Sequence, residues 1–170
     1  MPSRLLPLLL APAIAVSAQP AAAADVARIE TITAVNLCQP ALPAFDGAFR
    51  KRPRAIANEG DASAFLSCGL LARAGTQARH DAVEVVFLNR GPTGATVNCT
   101  LVDSTTLSAA NPDRVLTKTV SVGVFAFGSI VWASADINGA RYLKPAVSCS
   151  VPPQVDVLHV SDLYLEDVGA

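Results

Sequence analysis

Four cysteines, Cys38, Cys68, Cys99 and Cys149, are the residues whose type and spacing could do chemistry most readily. They are separated by 30, 31 and 50 positions, so none forms the close C-x2-C pair that is typical of structural zinc sites. A nucleophilic cysteine would need an exposed, electropositive setting and a basic partner. In an oxidising compartment, an even number of cysteines favours two disulfides over either alternative.

Three of the four cysteines stand in similar surroundings, with apolar residues two positions before and two positions after each of them. Because the side chains of a strand point alternately to opposite faces, each cysteine is predicted to share a buried face with these neighbours. The residue just before each cysteine then points outward. The three segments are Leu66-Ser67-Cys68-Gly69-Leu70, Val97-Asn98-Cys99-Thr100-Leu101 and Val147-Ser148-Cys149-Ser150-Val151.

Spacing does not fix which cysteines pair, because four cysteines allow three connectivities. The pairs that we favour are Cys38–Cys68, which would join the N-terminal loop to the next strand, and Cys99–Cys149, which would join two core strands. Buried cysteines on facing strands would place these bonds across the core of a sandwich.

Two histidines, His80 in a polar turn and His159 in the last predicted strand, are the remaining candidates for proton transfer. A triad needs a serine, a histidine and an acid to converge, and no G-x-S-x-G segment is present to place the serine. The 14 carboxylates could supply a glycosidase pair, but none lies in a recognisable motif, and no calcium-loop motif occurs. We therefore predict no catalytic residues, no metal and no cofactor.

The densest charge on the chain is the run Arg50-Lys51-Arg52-Pro53-Arg54. Its functional interpretation is a binding patch, formed by Arg50, Lys51, Arg52 and Arg54, for an anionic surface or polysaccharide. The alternative interpretation is a solvated loop that precedes a strand.

Two aromatic residues, Trp132 and Tyr142, lie on either side of the predicted Asn138-Gly139 turn. Exposed on one face, they would form a platform on which a sugar ring could stack. The alternative is that both rings are buried in the core.

Residues 1–24 have the features of a secretory signal peptide, namely Arg4, an apolar run and an alanine-rich end. The run is too short to span a bilayer. We expect cleavage near Ala22 or Ala24, which would leave no stable membrane span. No paired arginines precede the run, which favours the general secretory route over the twin-arginine route. The predicted location is the periplasm or the exterior, where thiols are oxidised.

The mature chain, residues 25–170, is long enough for a single domain with its own core. Without Arg4 it keeps 12 basic and 14 acidic residues, a formal charge of −2. A nucleic-acid partner would require a clustered basic face, so this balance argues against one.

From residue 54 onward, short alternating segments are separated by turn signals every 8–12 residues. No segment has a strong 3.6-residue period, so the pattern predicts an all-β sandwich or barrel of about eight or nine strands. Residues 39–53 are predicted to form the one long loop.

Five segments in order along the chain resemble a group of small, uncharacterised exported bacterial proteins. They are Leu37-Cys38-Gln39-Pro40, Ala55-Ile56-Ala57-Asn58-Glu59-Gly60, Phe65-Leu66-Ser67-Cys68, Val97-Asn98-Cys99-Thr100-Leu101 and Val147-Ser148-Cys149-Ser150-Val151-Pro152-Pro153. The resemblance implies an antiparallel jelly-roll sandwich similar to galactose-binding and carbohydrate-binding modules. It implies no catalytic residues.

Three functional hypotheses follow for this domain. The first is a non-catalytic exported protein that binds carbohydrate or another envelope component through a loop edge or an exposed sheet face. The second is an envelope hydrolase in which two carboxylates, or His159 with a serine and an acid, converge in a cleft. The third is a structural or adhesin-like subunit; the sequence indicates no oligomeric state.

Overall fold

A computed structural model describes residues 25–70, 79–104 and 113–167. The predicted signal peptide, residues 1–24, lies outside the described residues. Within them the chain forms eleven β-strands and very little helix. In chain order the elements are β1 Asp25–Thr33, the helical turn α1 Ala34–Leu37, β2 Cys38–Pro40, β3 Phe49–Arg52, β4 Ala55–Asn58, β5 Ala64–Gly69, β6 Arg79–Asn89, β7 Ala95–Asp103, β8 Arg114–Val122, β9 Phe127–Ala133, β10 Pro145–Val151 and β11 Val155–Asp167.

The strands form two antiparallel sheets. The six-stranded sheet has the order β3-β4-β11-β6-β9, with β1 also paired to β11, and the five-stranded sheet has the order β2-β5-β10-β7-β8. When β4 to β11 are numbered one to eight, their orders are 1-8-3-6 and 2-7-4-5, which is the jelly-roll arrangement of two Greek keys. The structure therefore confirms the predicted jelly-roll sandwich.

The N-terminal strands β1, β2 and β3 add to the eight jelly-roll strands and bring the described total to eleven. The prediction of one long loop over residues 39–53 is wrong, because this stretch contains most of β2 and all of β3. Neither strand shows an alternating pattern in the sequence. β2 has only three residues, and β3 has one buried residue, Phe49, followed by three exposed cations. Charged residues are common on edge strands, where they discourage pairing between chains.

The core lies between the sheets, where the inward residue of each alternating pair is buried. In β6, Val83, Val85 and Phe87 have no exposed surface, while Val86 and Leu88 on the opposite face are half-buried. Each fully buried side chain of this kind contributes about 1.5–3 kcal/mol through removal of apolar surface from water. Apolar residues on both faces of β6 agree with its place between β11 and β9.

The disulfides Cys38–Cys68 and Cys99–Cys149 are the two pairs that we favoured from the sequence. Their position differs from the expected one across the core. Each joins residues directly opposite each other on neighbouring strands of the five-stranded sheet, β2 with β5 and β7 with β10. Side chains at such positions point to the same face at short distance, so buried cysteines can bond within one sheet without crossing the core.

Candidate functional site

A groove with a volume of about 750 Å³ lies on the outer face of the six-stranded sheet. The strand order places β11 and β6 under the groove, β9 along one side, and the β3–β4 turn along the other. Half-buried apolar side chains of β6 and β11 form the floor. The lining residues are Thr31, Thr33, Arg52, Pro53, Arg54, Ala55, Val86, Leu88, Arg90, Phe127, Asp156, Leu158 and His159.

A β-bulge in β11 provides part of the floor. The pairing with β6 moves from Val157 opposite Phe87 to His159 opposite Val86, so that Leu158 is an additional residue. An additional residue of this kind interrupts the strict alternation of faces. Leu158 and His159 therefore both line the groove, although they are consecutive in the strand.

The β9 side of the groove is an exposed aromatic ring. Phe127 is 69% exposed and lies opposite Leu88 in the register of β9 and β6. The next residue, Gly128, lies close to the second sheet, because a Cβ there would stand 2.9 Å from Cγ2 of Val122. This close approach of the sheets fixes the start of β9, and with it the position of the ring.

Three guanidinium groups, those of Arg52, Arg54 and Arg90, also line the groove. Arg90 donates from Nε to Oδ1 of Asp156 at 2.8 Å, and Arg52 forms an ion pair with Glu59. Arg54 is exposed and forms no hydrogen bond or ion pair with any described residue. Three arginines thus face a single lining carboxylate, so the groove carries positive charge.

The pKa values of the two carboxyl groups that pair with these arginines, Asp156 and Glu59, are shifted in opposite directions. Burial raises the pKa of Asp156, against the hydrogen bond from Arg90, which favours the ionised form. The hydrogen bond from Arg52 lowers the pKa of the exposed Glu59. Both acids are held by arginines, so they orient guanidinium groups at the groove.

Two turns of the same construction position Arg90 and Glu59. Each is an Asn-x-Gly segment that follows a strand, and each begins with a buried asparagine. In the first, the Oδ1 of Asn58 accepts from the Gly60 N–H at 3.0 Å. In the second, the Oδ1 of Asn89 accepts from the Gly91 N–H at 2.8 Å. Asparagine favours such local turns because its side chain can bond to the backbone two residues on.

The asparagine amides tie these turns to other loops. Asn58 donates to the carbonyls of Ala62 at 3.0 Å and Val151 at 2.7 Å. Asn89 donates to the carbonyls of Thr93 at 2.7 Å and Gly123 at 3.0 Å. These bonds hold the middle residues of the two turns at the same end of the sandwich. The middle residues are Glu59, which pairs with Arg52, and Arg90, which pairs with Asp156.

The predicted basic patch is divided between the groove and contacts elsewhere. Arg52 and Arg54 line the groove, but Arg50 and Lys51 do not. Arg50 bonds to the carbonyls of Gly47 and Phe49, and Lys51 donates to the Val35 carbonyl at 3.2 Å. Only half of the predicted cationic set therefore belongs to the groove.

The predicted aromatic platform is wrong, because Trp132 and Tyr142 have no exposed surface. Trp132 lies on the inward face of β9 and donates from Nε1 to the Leu116 carbonyl at 3.0 Å. The Tyr142 hydroxyl donates to the Ala133 carbonyl at 2.9 Å, and burial raises its pKa to about 12. The exposed ring of this strand is Phe127, which sequence reasoning did not select.

The two histidines have different environments. His80 is buried, with Nδ1 at 2.7 Å from Oδ1 of the equally buried Asp162. His159 lines the groove, whose lining includes no serine and one carboxylate, that of Asp156. The lining residues therefore do not supply the serine, histidine and acid, or the pair of carboxylates, that the hydrolase hypothesis requires.

The described residues also contain no cluster of three or more histidine, cysteine, aspartate or glutamate side chains arranged to hold a metal ion. None of the helical segments in the described ranges has the length and apolar character needed to cross a membrane.

The outer face of the five-stranded sheet differs from the groove. Its polar side chains bond to one another, as in the contact of Thr100 Oγ1 with Thr117 Oγ1 at 2.9 Å and the donation from Thr119 Oγ1 to Asn98 Oδ1 at 2.6 Å. A smaller depression of about 290 Å³ lies on this sheet near Ser148. The combination of an exposed ring and arginines occurs on the six-stranded sheet.

No protein-family model matches this chain, and no curated protein matches it. Among solved structures it is similar to the C-terminal family 22 carbohydrate-binding module of Clostridium thermocellum Xyn10B, with 12% identity, 85% of this chain and 86% of that chain covered, and a TM-score of 0.38. A family 11 carbohydrate-binding module from the same organism, in complex with a β-1,3-1,4-mixed-linked tetrasaccharide, has 9% identity, coverages of 88% and 87%, and a TM-score of 0.38.

A third similar structure is a C. thermocellum xylanase 10B chain with CBM22-1 and GH10 modules, complexed with xylohexaose. Its identity is 15% and its TM-score 0.37; the match covers 68% of this chain but only 21% of that one. At these identities and TM-scores, the likeness assigns no ligand or activity to this chain.

Proposed function

We propose that this chain is an exported, non-catalytic protein that binds carbohydrate in the groove of the six-stranded sheet. The observation that carries the proposal is the exposed Phe127 ring, separated by an apolar floor from Arg52 and Arg54. A sugar ring has an apolar face and a rim of hydroxyl groups. An exposed aromatic ring can stack on the apolar face, and guanidinium N–H groups can donate hydrogen bonds to the hydroxyl oxygens.

The dimensions of the groove agree with such a ligand. Between β4 and β9 lie three strand-to-strand steps, which correspond to about 14 Å at the usual spacing within a sheet. The groove volume of about 750 Å³ falls within the range of roughly 300–1,000 Å³ that is common for small-molecule sites. The floor is a rigid sheet, so little backbone ordering accompanies binding.

Export is supported by the chain's own chemistry. All four cysteines form disulfides, which persist in oxidising compartments. The signal-peptide features of residues 1–24 point to the same route. We place the protein in the periplasm or outside the cell.

Replacing Phe127 with alanine is expected to weaken carbohydrate binding about tenfold, because a stacked ring contributes roughly 1–1.5 kcal/mol. The measurement is affinity electrophoresis and calorimetry with xylan, mixed-linkage β-glucan and polygalacturonate. At least one of these is expected to bind the unmodified exported protein.

The matched control is Phe125→Ala. Phe125 is 68% exposed, two residues from Phe127, and does not line the groove, so its removal is expected to leave affinity within twofold. Equal losses of affinity in both variants would contradict the proposed function.

A further inference from the structure

The arginines of the groove have unused hydrogen-bond donors. Arg90 uses Nε for Asp156, and Arg52 uses Nη2 for Glu59. Their other N–H groups, and all of those on Arg54, make no hydrogen bond with the described residues. A guanidinium has five donors in a planar fork, so three partly or fully unsatisfied forks point to a planar, negatively charged partner.

The net charge of the groove limits how densely charged this partner can be. Three arginines are opposed by Asp156 in the lining and by Glu59 beside it, which leaves a net charge of about +1 over these five groups. The mature chain as a whole is slightly acidic. A densely charged polyanion would be repelled by the two carboxylates as well as attracted by the arginines. A polymer with one carboxylate per sugar unit matches the small net positive charge of the groove.

We propose that the ligand is an acidic, uronate-containing carbohydrate whose carboxylate binds to Arg54 at the open side of the groove. This inference rests on the proposed function and narrows its ligand class. Arg54 is the primary contact because it is exposed and has no partner among the described residues. The sugar ring that carries the carboxylate lies over the apolar floor toward Phe127. Arg52 and Arg90, held by their acid partners, supply donors to neighbouring oxygens.

The test compares polymers that differ only in the charge. Polygalacturonate, glucuronan and alginate are each assayed against the exported protein beside their carboxyl-reduced forms, in which the same backbone is neutral. At least one uronate is expected to bind tenfold or more tightly than its reduced form, the difference of one charge-assisted hydrogen bond. Raising NaCl from 50 to 500 mM is expected to remove most of this difference.

Variants assign the effect to one side chain. Arg54→Ala is expected to remove the preference for the uronate form, while Arg54→Lys keeps part of it, because lysine preserves the charge but not the planar fork. The matched control is Arg28→Ala, which removes the same charge from an exposed arginine of β1 that pairs with Glu166 outside the groove. This control is expected to keep the full preference.

The outcomes separate this inference from the proposed function. Equal binding of acidic and reduced forms, with both weakened by Phe127→Ala, would overturn the uronate inference and leave carbohydrate binding in place. Binding of dextran sulfate as tight as that of the best uronate would also overturn it, since a general anion surface would then suffice. Failure of all three uronates, together with failure of the neutral polysaccharides, would overturn both.

Discussion

Replacing Cys99 and Cys149 with alanine is expected to lower the free energy of unfolding by about 4 kcal/mol on a chain-entropy estimate. The bond joins residues 50 positions apart, so its loss enlarges the unfolded ensemble considerably. A single domain usually has a total stability of only about 5–15 kcal/mol. The measurement is equilibrium unfolding in urea, followed by the fluorescence of Trp132.

The control for the disulfide is Ser148→Ala, which changes the neighbouring, outward-facing residue of β10. It is expected to alter stability by less than about 0.5 kcal/mol. A loss below about 1 kcal/mol in the cysteine variant would show that the bond does not constrain the chain. Because both bridges are buried, the native protein is also expected to resist thiol reductants until it unfolds.

Replacing Trp132 with alanine is expected to lower the free energy of unfolding by about 3–5 kcal/mol, the range for removing a large aromatic side chain from a core. The ring is fully buried, and its Nε1 satisfies the Leu116 carbonyl. Carbohydrate affinity, measured at a temperature where the variant is folded, is expected to stay within twofold of the original. The measurements are urea unfolding by circular dichroism and calorimetric binding.

Trp132→Phe keeps an aromatic ring in the core but removes the Nε1 donor and part of the ring volume. Its expected loss is smaller, about 1–2 kcal/mol. If Trp132→Ala remained stable but lost carbohydrate binding, the ring would be a ligand contact, as the stacking-platform interpretation of the sequence required.

The jelly-roll strands were accessible to sequence analysis because their alternation is long. In β7 and β10, Val97, Cys99, Val147 and Cys149 are buried at every second position, as their segments predicted. The N-terminal strands β2 and β3 were missed because β2 is too short, and β3 too highly charged, to show a pattern. β2 forms by pairing with β5, whose Cys68 lies 30 positions from Cys38, so no local pattern encodes it. β3 pairs with the adjacent β4 in a short hairpin, so its charge alone concealed it.

The cysteine pattern established the face of each residue but not the location of the bonds. Alternation shows that Cys99 and Cys149 point inward. Whether two inward residues lie opposite each other in one sheet or across the core depends on strand order and register. Here the antiparallel pairing of β7 with β10 places them side by side, which no local pattern encodes.

The groove was only partly predictable. Arg52 and Arg54 were visible in the basic run, but Arg90, Asp156 and Phe127 lie on three different elements that only the jelly-roll order brings together. Two signals were present in the sequence. The outward apolar residues of β6 are consistent with a groove floor as well as a central strand, and the two Asn-x-Gly segments repeat one turn at one end of the fold.

The most direct test of the groove is an NMR experiment on the isotope-labelled protein, which maps the signals that bound oligosaccharides perturb. The probe is a mixture of xylo-oligosaccharides, mixed-linkage β-gluco-oligosaccharides and oligogalacturonides. We predict that the perturbed signals belong to groove residues such as Val86, Phe127 and His159, while Thr117 and Ser148 on the other sheet are unchanged. No perturbation at millimolar concentrations, or perturbations confined to the five-stranded sheet, would contradict carbohydrate binding in this groove.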